Sequence, residues 1–381
     1  MAKKNVQLNK ALTIFLSIIS LIIGFCAGIG GFYIYDRKTN NLYKSDYVYG
    51  DIEMHFMELG NGYSGDSCYI KCGDVDILVD AGSRTESSST IAQYLDTQVT
   101  DKKLEYVIVT HADRDHIAGF AGDSKNASIF SRYKVDTIID FPRTNKTGSA
   151  ETKTLKKYYQ ERDTKVKNGA KHYNALQCYN NTDGGQRTYQ LTDSISLNIL
   201  YNYYYENSSP DENNYSVCFQ IEDGSNKYLF TGDLEKDGEE KLVKNNQLDK
   251  VKLFKAGHHG SKTSSNDVLL EVIQPEICVV TCCAGSVEYT QNLENTFPTQ
   301  LFIDRISNWT DKVYVTTVGT IGKNEKGKWE DVSYTSFNGN IVVRFKKGRA
   351  TVECSNNNTL LKDSDWLKNN RVIPDAWKSA A

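Results

Sequence analysis

The chain has 381 residues, a net charge of −3 and 39% hydrophobic residues, enough apolar material for one large core or two smaller ones. No basic stripe accompanies this near-neutral balance, which disfavours a protein that works by non-specific binding to nucleic acid. Nine cysteines stand at positions 26, 68, 72, 178, 218, 278, 282, 283 and 354 without a Cys-x-x-Cys pair, so zinc-ribbon and thioredoxin-type readings fail on spacing. Those in apolar stretches read as small buried hydrophobes.

Residues 1–10 read as a short cytoplasmic tail. Residues 11–35 form a run of 25 without a charge, longer than the roughly 20 residues a membrane-spanning helix needs. No small-x-small site closes the run, so it reads as an uncleaved transmembrane signal-anchor. Lys3, Lys4 and Lys10 precede it and Arg37, Lys38 and Lys44 follow it. That balance leans slightly towards a cytoplasmic N-terminus, with the rest of the chain outside the cell membrane. Residues 36–50 are a polar tether, 51–354 the predicted globular domain, and 355–381 a C-terminal tail.

Within the domain, short apolar runs at 55–59, 68–71 and 75–79 are predicted strands, with glycines at their turns. A helix is predicted over 88–97 and a buried strand over 104–110. Next come a surface helix over 147–167, strands at 190–201, 217–222 and 227–230, and a helix at 234–244. The pattern closes with a strand at 251–256, a helix at 267–272, a strand at 276–282, a helix at 297–306, and strands at 313–317 and 340–345. Such alternation predicts a layered α/β domain with helices covering sheet faces.

The chemistry is concentrated where strands end. The strand at 104–110 delivers a predicted loop, His111-Ala112-Asp113-Arg114-Asp115-His116, with four potential metal ligands in six residues. Imidazole and carboxylate together suit zinc, manganese or iron. Buried without a cation, the carboxylates would carry a heavy desolvation cost. Asp80, at the end of another apolar strand, is placed to fix the tautomer of a ligating imidazole. Asp233 follows a third strand and is placed to bridge two cations, and His258-His259 follow a fourth.

The order Asp80, His111-x-Asp113-x-Asp115-His116, Asp233, His258 resembles the motif series of the metallo-β-lactamase superfamily. It is closer still to the hydrolase domain of ComEC competence proteins and their free-standing relatives. Further parts of the resemblance are the glycine-rich turn from Glu58 to Ser67, Asn213-Asn214-Tyr215-Ser216, and His258-His259-Gly260-Ser261. It implies a four-layer αβ/βα sandwich preceded by one transmembrane helix. It also implies two divalent metal ions, zinc or manganese. One would be held by His111, Asp113 and Asp233, the other by Asp115, His116, His258 and Asp233. Asp115 doubles as proton acceptor, His259 is the expected proton donor to the leaving group, and Asn213, Ser216 and Ser261 are expected to bind substrate.

The sequence departs from the superfamily in two places. The usual further histidine between the loop and Asp233 is missing, because His172 lies in a polar stretch outside any motif, so the first metal position is ligand-poor. Phe297 stands where ComEC relatives often carry histidine. The function expected is a membrane-anchored phosphodiesterase or nuclease that hydrolyses by a metal-activated water. The alternatives are a cell-wall or lipid phosphoesterase acting on phosphocholine esters, and a membrane-tethered binding module with a degenerate metal site. No obligate protein partner is expected.

Overall fold

Two runs of strands, one from each half of the chain, account for most of the regular structure in the computed structural model, which describes residues 49–378. The first half supplies β1 (Asp51–Phe56), β2 (Cys68–Cys72), β3 (Val75–Val79), β4 (Lys103–Ile108), β5 (Lys134–Asp140) and β6 (Lys171–Asn174). The second supplies β7 (Thr188–Gln190), β8 (Ile195–Ile199), β9 (Phe219–Asp223), β10 (Asn226–Phe230), β11 (Leu253–Lys255), β12 (Ile277–Ala284), β13 (Val313–Lys323), β14 (Trp329–Ser336), β15 (Ile341–Lys346) and β16 (Arg349–Cys354). One eight-stranded sheet runs β16-β15-β1-β2-β3-β4-β5-β6, the other β14-β13-β12-β11-β10-β9-β8-β7. Strands β3 to β6 are parallel, as are β10 to β13, and the flanking strands are antiparallel.

Alternation along each strand divides the core. On β10, Tyr228 and Phe230 join the cluster between the sheets, while Leu229 joins the cluster on the outer face. On β11, Leu253 and Phe254 part in the same way. Strand β12 is buried along its whole length, as a central parallel strand with both faces covered should be.

Helices α1 (Ser87–Gln98), α2 (Arg114–Ala121), α3 (Ile129–Arg132), α4 (Lys153–Lys167) and α5 (Ala175–Asn180) belong to the first sheet. Ile91, Leu95, Phe120 and Leu155 are buried in its cluster. Helices α6 (Lys236–Asn245), α7 (Asp267–Ile273), α8 (Gln300–Ile306) and α9 (Asp365–Asn370) cover the outer face of the second sheet, through Leu242, Leu269, Phe302 and Leu367. The predicted α/β/β/α layering is therefore present.

Several predicted boundaries move. The predicted helix at 147–167 begins at Lys153, because the Thr152 side chain caps it by accepting from Leu155 N. The predicted strand at 190–201 is split by a turn into β7 and β8. The predicted loop at 111–116 is half helix: Asp113 is the extended N-cap residue of α2, so Asp115 and His116 lie in its first turn. The C-terminal tail is corrected too. Leu361, Trp366, Leu367 and Trp377 are buried in the outer cluster, and Trp377 Nε1 donates to Thr310 O at 2.9 Å. Among the described residues all eight cysteines are free and all but Cys354 are buried, as core packing requires.

The predicted tail, signal-anchor and most of the tether, residues 1–48, lie outside the described residues. Among the described residues no helix is long and apolar enough to cross a membrane.

Candidate metal centre

The carboxyl ends of β3, β4, β10 and β11 meet at one place, where open α/β sheets gather their ligands. Asp80 follows β3 in a left-handed conformation, φ 55°, which Asp tolerates better than most residues. Its Oδ1 accepts from Thr110 N at 2.8 Å, while Oδ2 accepts from Thr110 Oγ1 and faces His116 Nδ1, both at 2.7 Å. That arrangement keeps a proton on His116 Nδ1 and turns Nε2 towards the cluster.

Helix α2 reaches this position because Gly119 lacks a side chain. A Cβ there would lie 2.4 Å from Ala81 O, the atom to which Gly119 N donates at 2.6 Å. A second glycine, Gly232 at φ 55°, turns the chain between β10 and Asp233, with the Ser216 hydroxyl filling the space a Cβ would need. Ser216 Oγ accepts from Asp233 N at 3.0 Å.

Four ligand atoms, one each from Asp115, His116, Asp233 and His259, lie within 4.8 Å of one another. His116 Nε2 is 3.2 Å and His259 Nε2 3.4 Å from Asp233 Oδ2, and His259 Nε2 is 3.4 Å from Asp115 Oδ2. His259 Nδ1 donates to Thr281 O at 2.8 Å, which again leaves Nε2 aimed at the cluster. The His111 ring lies tilted against that of His116, ring centroids 4.1 Å apart, with Nδ1 3.1 Å from Thr110 Oγ1 and Nε2 3.5 Å from Asp113 Oδ2.

The two adjacent histidines exchange their expected places. Both have left-handed φ, 45° at His258 and 54° at His259. The turn swings His259 into the cluster, where it is fully buried. His258 points instead to the rim, with Nδ1 3.3 Å from both Glu235 Oε1 and Thr263 Oγ1. The position expected for His258 is thus filled by His259, and His258 stands outside the four-residue group.

The expected substrate residues are also placed differently. Ser216 is buried behind Asp233, and Ser261 is buried against Thr263 Oγ1 at 2.9 Å. Asn213 Nδ2 donates to Glu235 Oε1 at 3.1 Å. All three brace the rim and the turns. His172 is remote from the cluster and pairs with Asp140 Oδ1 at 2.8 Å.

Four more residues belong to the site. Asp66 and Lys255 form a buried ion pair beneath it, with Asp66 also accepting from Thr281 Oγ1 and lying 3.3 Å from His259 Nδ1. A lysine inside the apolar run Leu253-Phe254-Lys255 was the available signal for this pair. Tyr289, half-exposed, donates to Asp115 Oδ2 at 2.7 Å. Lys146 forms an ion pair with Asp113. Neither Tyr289 nor Lys146 lies in a patterned stretch. Phe297 completes an aromatic rim, 5.5 Å from the His258 ring and 5.8 Å from Tyr289.

Burial alone would neutralise the Asp233 carboxyl, yet His116 and His259 hold it well below the usual carboxylate range. Burial likewise opposes charge on His259, but Asp233 and Asp66 raise it to about 10, and Asp233 and Asp80 raise His116 well above its ordinary value. His111 moves the other way, to about 4, through its burial and the neighbouring His116.

These residues fit a divalent cation. Buried His111 Nε2, His116 Nε2, His259 Nε2 and Asp233 Oδ1 make no hydrogen bond among the described residues, a condition costly in a native interior without a further partner. Asp66, Asp80, Asp115 and Asp233 all gather around His116, a concentration of carboxylates that a divalent cation would offset. Imidazole with carboxylate is a donor set for zinc or manganese.

The profile of the metallo-beta-lactamase superfamily matches residues 61–173 and 209–282. The chain carries a metallo-beta-lactamase superfamily domain. It is 26% identical over 184 residues to ComE operon protein 3 of Bacillus subtilis (strain 168), covering 47% of this chain and 20% of that protein. To competence protein ComA of Neisseria gonorrhoeae it is 26% identical over 220 residues, covering 56% of this chain and 25% of that one. The chain therefore spans about a fifth to a quarter of the length of these relatives. Among solved structures, it matches the metallo-beta-lactamase fold protein YhfI of Bacillus subtilis with a TM-score of 0.38 at 14% identity, covering 70% of this chain and 85% of the other. The metallo-beta-lactamase assignment carries with it a family of metal-dependent hydrolases, and the resemblance to competence proteins read from the motifs is present in the relatives.

Proposed function

We propose that this protein is a phosphodiesterase whose metal centre is built on Asp115, His116, Asp233 and His259, with His111 and Asp113 beside them. The observation that carries the reading is the convergence of those four ligand atoms within 4.8 Å, together with the orphaned imidazole nitrogens aimed into the same space. A bound divalent ion supplies Lewis acidity and lowers the pKa of water towards neutrality. The chain's own residues do the rest. Asp80 and Thr281 O fix the two imidazoles with Nε2 facing inward. Asp115 Oδ2, held by the Tyr289 hydroxyl, is positioned to accept a proton from the attacking water. The half-exposed Tyr289 hydroxyl, beside Asp115, would turn its proton from that carboxylate to a substrate oxygen or leaving group. This moves the proton-donor role away from His259, whose Nε2 is turned to the carboxylates.

Two substrate classes are proposed. DNA, by analogy with the competence relatives, is the first candidate, and a wall or lipid phosphoester is the second. The second is favoured by the aromatic rim of Tyr289 and Phe297, since aromatic faces hold quaternary ammonium groups such as choline. The charge-free run at 11–35 would anchor the enzyme in the cell membrane, with this domain on the extracytoplasmic side. The test is the detergent-solubilised full chain assayed with manganese or zinc against single-stranded DNA, bis-p-nitrophenyl phosphate and p-nitrophenyl phosphocholine. Hydrolysis of any of these, lost in Asp233→Asn, supports the reading. Absence of hydrolysis from a metal-loaded protein on all three refutes it.

A further inference from the structure

The half of the site built on His111 and Asp113 already contains a cation. Lys146 Nζ forms an ion pair with Asp113 Oδ1 and donates to Ala112 O at 3.4 Å, so the ammonium sits on the same turn that presents His111. This is no freely swinging surface lysine, because its side chain is only 23% exposed. The loop that carries it, between β5 and α4, is pinned on both sides of the backbone. Thr144 Oγ1 donates to Glu212 Oε1 at 2.5 Å and Asn145 N to Glu212 Oε2 at 2.7 Å. Asn145 Nδ2 donates to Ser209 O at 2.9 Å, and the buried Tyr215 hydroxyl donates to Asn145 Oδ1 at 3.0 Å. Lys146 N itself donates to Thr144 Oγ1 at 3.0 Å.

We propose that Lys146 supplies the positive charge in this half of the site, so that the chain binds one divalent metal tightly, at Asp115, His116, Asp233 and His259, with a fixed ammonium beside it. The inference rests on the reading of that cluster as a metal centre. An ammonium has three donors and no acceptor, so it cannot ligate a metal while it is charged. It also competes for the Asp113 carboxylate that a first metal would need, and a second cation placed next to it is repelled strongly where water is scarce. What remains for a metal there is one imidazole nitrogen and the Asp233 carboxylate that the tight position also uses. The ammonium is instead suited to hold a non-bridging phosphate oxygen as a point charge.

The test is metal stoichiometry, by elemental analysis and calorimetric titration of the chelator-stripped full chain with manganese or zinc. Wild type is expected to take up one equivalent tightly, with any second at least tenfold weaker. Lys146→Met is expected to gain a second equivalent, and Lys146→His, which offers an imidazole in place of the ammonium, to bind that second equivalent more tightly still. Two equivalents of comparable affinity in wild type would overturn the inference and leave the metal-centre reading intact. So would an unchanged single equivalent in both variants. No uptake in wild type would overturn both, and Asp233→Asn, expected to lose the tight equivalent, separates specific binding from adventitious uptake.

Discussion

Replacing Asp80 by Asn changes one atom of the site and should weaken the metal centre tenfold or more. Asn tolerates the left-handed backbone at this position as well as Asp does, so the loop is preserved. The difficulty lies in hydrogen bonding. Asp80 uses Oδ1 for Thr110 N and Oδ2 for both Thr110 Oγ1 and His116 Nδ1. Thr110 N–H and His116 Nδ1–H both need an oxygen on opposite sides of the group, and an amide has only one. If the amide NH2 faces His116, the imidazole must accept at Nδ1 and carry its proton on Nε2, the atom directed at Asp233. If it faces Thr110, a buried N–H loses its acceptor at a cost of about 1–3 kcal/mol. Loss of such an orienting partner costs roughly 10–100-fold in metal affinity, or about 1.4–2.8 kcal/mol. At saturating metal the same difference is lost from the metal-dependent stabilisation. A folded region of roughly 330 residues has an unfolding entropy of about 0.7 kcal/mol/K, so the metal-induced rise in Tm should shrink by ~2–4 °C. Calorimetric titration and thermal melts with and without manganese measure both quantities. An Asp80→Asn protein with wild-type metal affinity and an unchanged metal-induced shift would refute the tautomer argument.

Three further outcomes are expected. His259→Ala should lose the tight metal, whereas His258→Ala should keep it and change only substrate affinity; elemental analysis of the two purified variants decides, and the reverse pattern would show that the turn is assigned wrongly. Lys255→Met leaves the buried Asp66 carboxylate without its cation and should lower stability by about 3–5 kcal/mol in denaturant unfolding, with Asp66→Asn in the same chain recovering part of the loss. His55, far from the centre, is buried between Tyr94 and Glu53, and burial lowers its pKa to about 4 despite the opposing pull of Glu53. Its folded pKa lies below the unfolded value of about 6.5, so the unfolded chain gains a proton the folded one refuses, and stability falls by about 2–3 kcal/mol as pH drops from 6.5 to 4. His55→Gln should flatten that part of the stability–pH curve, and a slope unchanged from wild type would exclude the imidazole as its source.

How much of this was legible before the structure depends on where a residue sits relative to a strand end. Asp80, His111, Asp113, Asp115, His116 and Asp233 all follow apolar runs that become β3, β4 and β10, so a short apolar run ending in a carboxylate or imidazole was enough to find them. Strands β14 and β16 were not read, because both lie at sheet edges and are mostly exposed and polar, leaving no alternation to detect. The terminal segment was read as a tail for a related reason. Its buried Leu361, the pair Trp366-Leu367 and Trp377 stand apart among polar residues and gain meaning only against the outer face of the second sheet.

The pair at His258 and His259 shows a different limit. Sequence order places both one turn beyond β11, and nothing in residue type distinguishes them. The choice is made by backbone torsion, two successive left-handed residues followed by Gly260, a conformation that branched or bulky residues resist. Because one imidazole is turned in, the other must be turned out, and the turn that makes His259 a ligand also puts His258 on the rim against Phe297. Lys146 and Tyr289 add a third case. They reach Asp113 and Asp115 from loops 33 and 174 residues away in sequence, held there by Glu212 on one side and by the neighbouring Glu288–Arg84 ion pair on the other. The ligands of this centre are therefore set by strand ends, and its charge and its contact with substrate are set by loops. Relatives that share the strand-end ligands are free to differ in chemistry through those loops alone.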